Sequence, residues 1–139
     1  MKALKINHLA VWILTVVSQV VSLGWYTLFS SQWMTLMNKS LKDFEAAASP
    51  IPYIVSLLTS LVFNYLLAWL FKALHIESLF SGLGVAALCW LGFLFLPLLT
   101  QDLFSLQSPQ LSLINGGNYF VSFALAGLVL GAWRKYERI

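Results

Sequence analysis

The amino-acid sequence predicts an all-α, polytopic membrane protein built as a bundle of four transmembrane helices. Only 9% of its 139 residues are charged, 60% are hydrophobic and the mean hydropathy is +0.82, whereas a soluble domain averages about 25% charged residues. Four apolar runs each approach the roughly 20 residues that a helix needs to cross a bilayer. No charged residue lies near the middle of any run. The runs are Leu9–Phe29, Ile51–Leu74, Leu79–Thr100 and Leu113–Trp133.

The first run follows two lysines, Lys2 and Lys5, as the apolar region of a secretory signal does. It is longer than such a region, and Gly24-Trp25-Tyr26 stands where a cleavage site would need small residues. We therefore expect the run to be kept as a transmembrane helix. Because the connections between runs are short, we expect one transmembrane domain over residues 1–139 and no separate soluble domain.

The connection between the first and second runs has a helical periodicity of its own. Its apolar residues recur at steps of three and four with polar residues between them, which predicts a short amphipathic helix in the membrane interface. Such a helix either rests on lipid headgroups as a connector or covers a site. The apolar positions are Trp33, Leu36, Met37, Leu41 and Phe44.

Proline and small residues set the third run apart from the other three. Pro97 lies inside the run, where we expect it to bend the helix or to end it. Gly82, Gly84, Ala86 and Cys89 leave little side-chain volume along the same run. The third run therefore predicts close helix packing rather than a polar lining.

Lysine and arginine are distributed unevenly between the two faces that four spans define. Under the positive-inside rule this bias predicts a multi-pass protein with both termini in the cytoplasm. We expect it in the cell membrane, which is the inner membrane of a cell that has two. The net charge of +3 is read as this topology signal rather than as a nucleic-acid footprint, so we expect no nucleic-acid partner. Lys39 and Lys42 lie on one face; Lys2, Lys5, Lys72, Arg134, Lys135 and Arg138 lie on the other.

Polar and small residues recur at steps of three and four within three of the runs. In lipid, such side chains face other helices or a wet cavity, so each stripe predicts the inward face of its helix. The stripes are His8, Trp12, Thr15, Gln19, Ser22 and Tyr26 in the first run, Ser56, Ser60, Asn64, Ala68 and Lys72 in the second, and Asn115, Tyr119, Ser122 and Ala126 in the fourth.

Seven side chains on or beside these stripes are candidates for binding a ligand or lining a pore. With a rise of about 1.5 Å per residue, five of them reach the outer third of the bilayer and could surround a pocket there. The stripes could equally hold the bundle together through interhelical hydrogen bonds, and tryptophan and tyrosine gather at membrane interfaces in any case. The outer five are Trp25, Tyr26, Asn115, Asn118 and Tyr119; the deeper two are Gln19 and Asn64.

The sequence contains no recognisable set of catalytic or metal-binding residues. Ion-coupled transporters place charged groups within their spans, and here such groups lie only near the ends. There is no carboxylate pair, phosphate-binding glycine loop, Ser-His-acid set or metal-ligand spacing. His8 and His75 stand alone, and the single thiol of Cys89 cannot form an internal disulfide. We expect no catalytic residue, no metal and no cofactor.

Several short motifs extend over nearly the whole chain. They are Asn7-His8-Leu9-Ala10-Val11, then Gly24-Trp25-Tyr26 with Phe29 and Trp33, then Ile114-Asn115-Gly116-Gly117-Asn118-Tyr119, and finally Gly131-Ala132-Trp133-Arg134. In these motifs the chain resembles bacterial and fungal membrane proteins grouped as domain of unknown function 1761. The resemblance implies a four-helix integral membrane protein without an established activity, and it directs attention to Trp25, Tyr26, Trp33, Asn115 and Tyr119.

Three functional interpretations stay open at this point. The favoured one is a non-enzymatic protein that binds a membrane lipid or a lipophilic small molecule, or forms a homo-oligomer through the GxxxG pair Gly127 and Gly131. The second is a channel or facilitator for water or small solutes, lined by the amides of Gln19, Asn64 and Asn118. The third is an intramembrane enzyme with Tyr26 or Tyr119 as acid and asparagines as oxyanion donors, for which the sequence supplies no base.

Overall fold

A computed structural model describes all 139 residues of the chain. The α5 helix, a π-helical segment and α6 run on without a break, so four helices are long and apolar enough to cross a membrane. This confirms the predicted all-α class. The elements are β1 (Lys2–Lys5), α1 (His8–Leu28), α2 (Ser30–Leu36), α3 (Leu41–Ala46), α4 (Ile51–Ala73), α5 (Leu79–Cys89), the π segment (Trp90–Phe95), α6 (Leu96–Phe104), α7 (Pro109–Ala132) and β2 (Lys135–Arg138).

A two-stranded antiparallel ribbon joins the two ends of the chain, which the all-α prediction did not include. The register pairs Lys2 with Arg138 and Lys5 with Lys135. An isolated pair of four-residue strands is barely stable in water, and here the buried side chain of Leu4 anchors the ribbon to the bundle. Both termini therefore lie on one side, called the ribbon face below. The side that carries α2 and α3 is called the loop face.

Asn7 ties the ribbon to the first and last spanning helices. Its side-chain oxygen accepts a hydrogen bond from the backbone N–H of Ala10 (3.2 Å) and so caps α1, while its amide nitrogen donates to the carbonyl of Trp133 (3.2 Å). This residue is buried, and both ends of its side chain are used. The Arg134 guanidinium next to it donates to the carbonyl of Leu130 (3.0 Å), which places a cation at the negative end of the α7 dipole.

The first loop-face connection forms two short helices where the sequence predicted one. The break falls between α2 and α3, where Asn38 adopts a left-handed conformation (φ 54°) that asparagine tolerates better than most residues. Ser40 and Asp43 then form a reciprocal capping box that starts α3. Trp33 and Phe44 stack across the break with ring centroids 5.1 Å apart, so these two of the predicted apolar residues lie on the same side.

The third spanning helix continues past Pro97 instead of ending there. The π segment lies immediately before it, and the backbone N–H of Leu96 bonds the carbonyl of Leu91, five residues back. A proline lacks the N–H that an α-helix needs at this position, and a π turn is a common way for a membrane helix to absorb that loss. The helix reaches Phe104, four residues beyond the predicted end of the run.

The α7 helix is the central element of the bundle, with ten buried residues against two in α5. Its contact with α5 is backbone to backbone: a Cβ added at Gly127 would lie 2.5 Å from the carbonyl oxygen of Gly82 and 2.7 Å from the Cβ of Ala86. Gly131 lies equally close to Ser78. The predicted close packing of the third run is therefore made with α7.

The apolar core occupies the half of the bundle nearer the ribbon face. Four helices contribute to it, and the rings of Phe63 and Phe123 stack beside it at 4.7 Å. The other half, toward the loop face, has few buried apolar residues and is held mainly by the polar contacts described below. The core residues are Ala10, Val11, Leu14, Leu67, Ala68, Phe71, Ala86, Phe123, Ala126 and Leu130.

The predicted polar stripes follow the buried faces only in part. Thr15, Asn64 and Ser122 are buried as expected, whereas His8 and Trp12 are exposed, Trp12 by 53%. In the first stripe the steps of four and three alternate and cancel over about five turns, so the stripe stays on one side of α1. The buried face of α1 instead centres on Val11, Leu14 and Ser18, to one side of the stripe, so the stripe meets it only at its edge.

Candidate functional site

The structure joins three of the aromatic and amide residues near the loop face around one oxygen atom. The side-chain oxygen of Asn115 accepts hydrogen bonds from the Tyr26 hydroxyl (2.8 Å) and from the Trp33 indole N–H (3.1 Å). The Tyr26 and Trp33 rings meet edge to face with centroids 5.3 Å apart. Both lone pairs of the carbonyl oxygen are thus occupied from within the chain.

Two further indoles donate to the backbone of α7 beside Asn115. Trp25 Nε1 bonds the carbonyl of Ile114 and Trp90 Nε1 bonds the carbonyl of Gly116, both at 2.8 Å. The ring of Trp25 occupies the space next to Gly117, where an added Cβ would lie 2.7 Å from it. The glycine pair of α7 therefore lets flat aromatic rings lie directly on the helix backbone.

A second polar cluster joins α1 to α4 deeper in the bundle. The Gln19 amide nitrogen donates to the Ser60 hydroxyl (2.8 Å) and to the carbonyl of Ser56 (3.3 Å), and its oxygen accepts from the Ser56 hydroxyl (3.1 Å). Gln19 is satisfied from both ends, which is how a buried amide is held between membrane helices.

Asn64 and Asn118 differ from these residues because each keeps an unpartnered oxygen. The Asn64 amide nitrogen donates to Thr15 Oγ1 over 3.3 Å, but its oxygen and that of Asn118 are buried without a hydrogen bond. An unsatisfied buried polar group costs about 1–3 kcal/mol. These two oxygens are the places in the bundle where a water or ligand donor would be most favourable.

The seven predicted site residues lie at more than one depth. Asn64 is level with Thr15 of α1, and Asn115 is level with Tyr26 of the same helix. Thr15 and Tyr26 are eleven residues apart, so the two levels are separated by about 16 Å along the helix axis. Tyr119 packs half-buried beside the core and takes no part in the hydrogen bond between Tyr26 and Asn115. The predicted residues form separate interhelical contacts at different depths.

A cleft opens at the other end of the bundle, on the ribbon face. This cleft has a volume of about 500 Å³ and lies between the ribbon, the last turns of α4 and the connection to α5. Its lining combines cations and one carboxylate with apolar side chains. The lining residues are Lys2, Ala3, Leu4, Ile6, Trp69, Lys72, Ala73, His75, Glu77, Tyr136 and Ile139.

One hydrogen bond connects the ribbon to the far side of this cleft. The Tyr136 hydroxyl donates to Glu77 Oε2 at 2.9 Å. This hydrogen bond is the main reason that the pKa of Tyr136 is raised above its usual value. The bond engages the one side-chain carboxylate of the lining with a neutral donor, and this carboxylate forms no ion pair with Lys2 or Lys72.

Sequence reasoning missed the ribbon-face cleft. The sequence analysis used Lys2 only as a topology signal and Lys72 as a topology signal and a member of a polar stripe, and it gave Tyr136 and Glu77 no role. Neither Lys2–Lys5 (KALK) nor Lys135–Arg138 (KYER) alternates strictly between polar and apolar residues, so the local pattern gives no clear strand signal. Strand pairing across the whole length of the chain cannot be read from either segment alone.

The chemical groups in these sites do not form a recognisable reaction centre. Tyr26 contacts a neutral amide and an indole, and the histidine nearest in the sequence, His8, bonds the hydroxyl of Tyr65 in the ribbon half instead (2.9 Å). No three His, Cys, Asp or Glu side chains come together as a metal-binding group. What the sites can do is hold helices together and present cations beside apolar surface.

The fold and these contacts define the class as a multi-pass integral membrane protein with four spanning helices. Within that class, the chain belongs to the DUF1761 family, which is described as a protein of unknown function and matches residues 9–131. The match confirms the resemblance seen in the sequence motifs. No curated protein and no solved structure matches the chain.

Proposed function

We propose that the protein is a non-catalytic membrane protein that binds a membrane lipid or a lipophilic small molecule in the ribbon-face cleft. The observation that carries the proposal is the cleft itself. Its volume of about 500 Å³ is within the range of small-molecule sites. Its apolar lining, with Trp69 60% exposed beside it, would accept an acyl chain, and its cations would accept a polar head.

The polar contacts between the helices support this assignment because their hydrogen-bonding groups already bond one another and are not free for a ligand. The donors and acceptors of Tyr26, Trp33 and Gln19 bond within the chain, so they are interpreted as the contacts that hold the loop-face half together. A pocket around Asn115 would have to break two of them. The sequence-based hypothesis of lipid or lipophile binding is therefore kept and moved to the ribbon face.

The GxxxG pair does not support assembly in the way the sequence had indicated. Gly127 and Gly131 are buried against Gly82 and Ser78 of the same chain. A homo-oligomer that used this pair would have to displace α5 from α7. Self-association stays a prediction, and the structure offers it no surface through these two glycines.

Lipid retention in purified protein tests the proposal. The protein would be extracted in a mild detergent, and bound lipid would be counted by native mass spectrometry. We expect Ala73→Trp, which fills the cleft, and Trp69→Ala, which removes its apolar edge, to lose bound lipid. The matched controls are Ala132→Trp and Trp12→Ala, because both are exposed positions outside the cleft. Equal lipid retention by the cleft and control variants, or none in the parent protein, would refute the proposal.

A water or solute facilitator is the second candidate, favoured by the two unpartnered oxygens of Asn64 and Asn118. Each would gain a hydrogen bond from an internal water, and a water path needs such groups. The measurement is the rate of osmotic shrinkage of proteoliposomes that contain the parent protein or Asn64→Leu. A rate equal to that of empty vesicles excludes this function.

A further inference from the structure

We infer that the ribbon-face cleft selects a phospholipid with an anionic, phosphate-bearing headgroup. This inference rests on the proposed function and adds the chemical class of the ligand. It starts from the charges in the lining: Lys2 from β1, Lys72 from the end of α4 and His75 from the connection after it. Two parts of the chain that are distant in sequence, β1 and the end of α4 with the connection after it, thus bring these groups to one opening.

The single carboxylate of the lining does not neutralise this charge by ion pairing. Glu77 accepts its hydrogen bond from the Tyr136 hydroxyl rather than from a lysine. Ammonium groups without a carboxylate partner are available to phosphate oxygens. A zwitterionic headgroup would bring its own cation next to Lys2 and Lys72, whereas an anionic one would not.

The position of the cleft matches the depth of lipid phosphates. Trp69 lies about 6 Å along the helix before Ala73, where α4 ends, and tryptophan prefers the boundary between acyl chains and headgroups. Lys72 is exposed one turn further out, where lysine extends its ammonium group toward the headgroups. A lipid with its phosphate near Lys72 would therefore place its acyl chain along Trp69.

The surface around the cleft is also predominantly positive. The ribbon face carries six of the eight Lys and Arg residues of the chain but only two of its five carboxylates, Glu77 and Glu137. A basic residue at an anionic membrane surface strengthens binding about fivefold. Lys2 and Lys72 together are expected to account for a preference of roughly 25-fold.

The test is a lipid titration by native mass spectrometry with phosphatidylglycerol and phosphatidylcholine of identical acyl chains. We expect the parent protein to prefer the anionic lipid, the double variant Lys2→Gln/Lys72→Gln to lose roughly 25-fold of that preference, and Lys72→Arg to retain it. The matched control is Lys39→Gln/Lys42→Gln, which removes the same charge from the loop face. A control variant that loses as much preference as the cleft variant would overturn the inference.

Three further outcomes distinguish a failure of the headgroup assignment from a failure of the proposed lipid-binding function. If inorganic phosphate at millimolar concentration displaces the lipid completely, the site recognises free phosphate and the inference is wrong. If the parent protein binds both lipids equally and Ala73→Trp abolishes both, the lipid-binding function stands and the headgroup assignment fails. If the parent protein holds neither lipid, the proposed function fails with it.

Discussion

The contact between α5 and α7 depends on the absence of a single methyl group at Gly82. A Cβ placed there would overlap the carbonyl oxygen of Gly127 and would lie 3.0 Å from the Cα of Gly131, whereas non-bonded heavy atoms normally approach to about 3.5–4.0 Å. The Gly82→Ala substitution therefore requires the two helices to separate by about 1 Å or more. Overpacking of this kind costs about 1–3 kcal/mol.

Gly84 provides a matched control two residues away on the same helix. An added Cβ at Gly84 meets nothing within 4 Å, so Gly84→Ala makes the same chemical change without the clash. Alanine is favoured over glycine in a helix by up to about 1 kcal/mol. We therefore expect a difference of roughly 1–4 kcal/mol in unfolding free energy between the two variants.

Unfolding in detergent measures this difference. The protein would be titrated with sodium dodecyl sulfate in mixed micelles, with helix content followed by circular dichroism and packing by tryptophan fluorescence. Gly82→Ala should unfold at a lower fraction of dodecyl sulfate than the parent, and Gly84→Ala at an equal or higher one. If both variants share one midpoint, the backbone contact between α5 and α7 does not limit stability and the reasoning is wrong.

Four other predictions concern polar contacts and topology. Tyr26→Phe and Asn115→Leu should show a coupling free energy of about 0.5–1.5 kcal/mol in a double-mutant cycle, and additive effects would argue against their hydrogen bond. Asn64→Leu should change the unfolding free energy by less than about 1 kcal/mol, because it removes an unpartnered oxygen together with a long hydrogen bond. A decrease in unfolding free energy of more than about 2 kcal/mol would mean that an internal donor satisfies that oxygen. Ser40 holds the pKa of the Asp43 carboxyl below its usual value through backbone and side-chain hydrogen bonds. The capping box should therefore stabilise α3 at neutral pH and weaken as pH falls through that lowered pKa. Titration of the carboxyl followed by nuclear magnetic resonance should show the pKa of Asp43 rising toward its usual value in Ser40→Ala. In a Cys89→Ala background, a membrane-impermeant maleimide applied to intact cells should label Lys39→Cys and leave Lys5→Cys unlabelled, and the reverse result would invert the predicted orientation.

The loop-face half shows how far sequence reasoning could reach toward the polar contacts. A rise of 1.5 Å per residue correctly placed Tyr26 and Asn115 at the same depth, and the structure bonds them. The same argument placed Asn118 with them, yet its oxygen is buried without a partner. Depth depends on residue number alone, whereas partner choice depends on how each helix is rotated about its axis, which a stripe of polar residues defines only to within a wide angle.

The two ends of the chain show the opposite limit. Four-residue strands carry too little local preference to be recognised, and their pairing joins Lys2 to Arg138 across almost the entire sequence. The cleft beside them exists only because this ribbon lies against the end of α4. Lys2, Lys72 and Tyr136 therefore become one surface through tertiary structure, although the charge count had already assigned Lys2 and Lys72 to this side of the membrane.

The sequence alone determined the solvent, the number of spans and the shared side of the termini, because these depend on hydrophobicity and length, which add up along the chain. Tertiary structure decided which groups meet. It placed Gly127 and Gly131 against α5 rather than at a subunit surface, gave Asn115 both of its donors and left Asn64 with an unpartnered oxygen. These outcomes depend on helix rotation and on separations of a few tenths of an ångström, which only the packed bundle fixes.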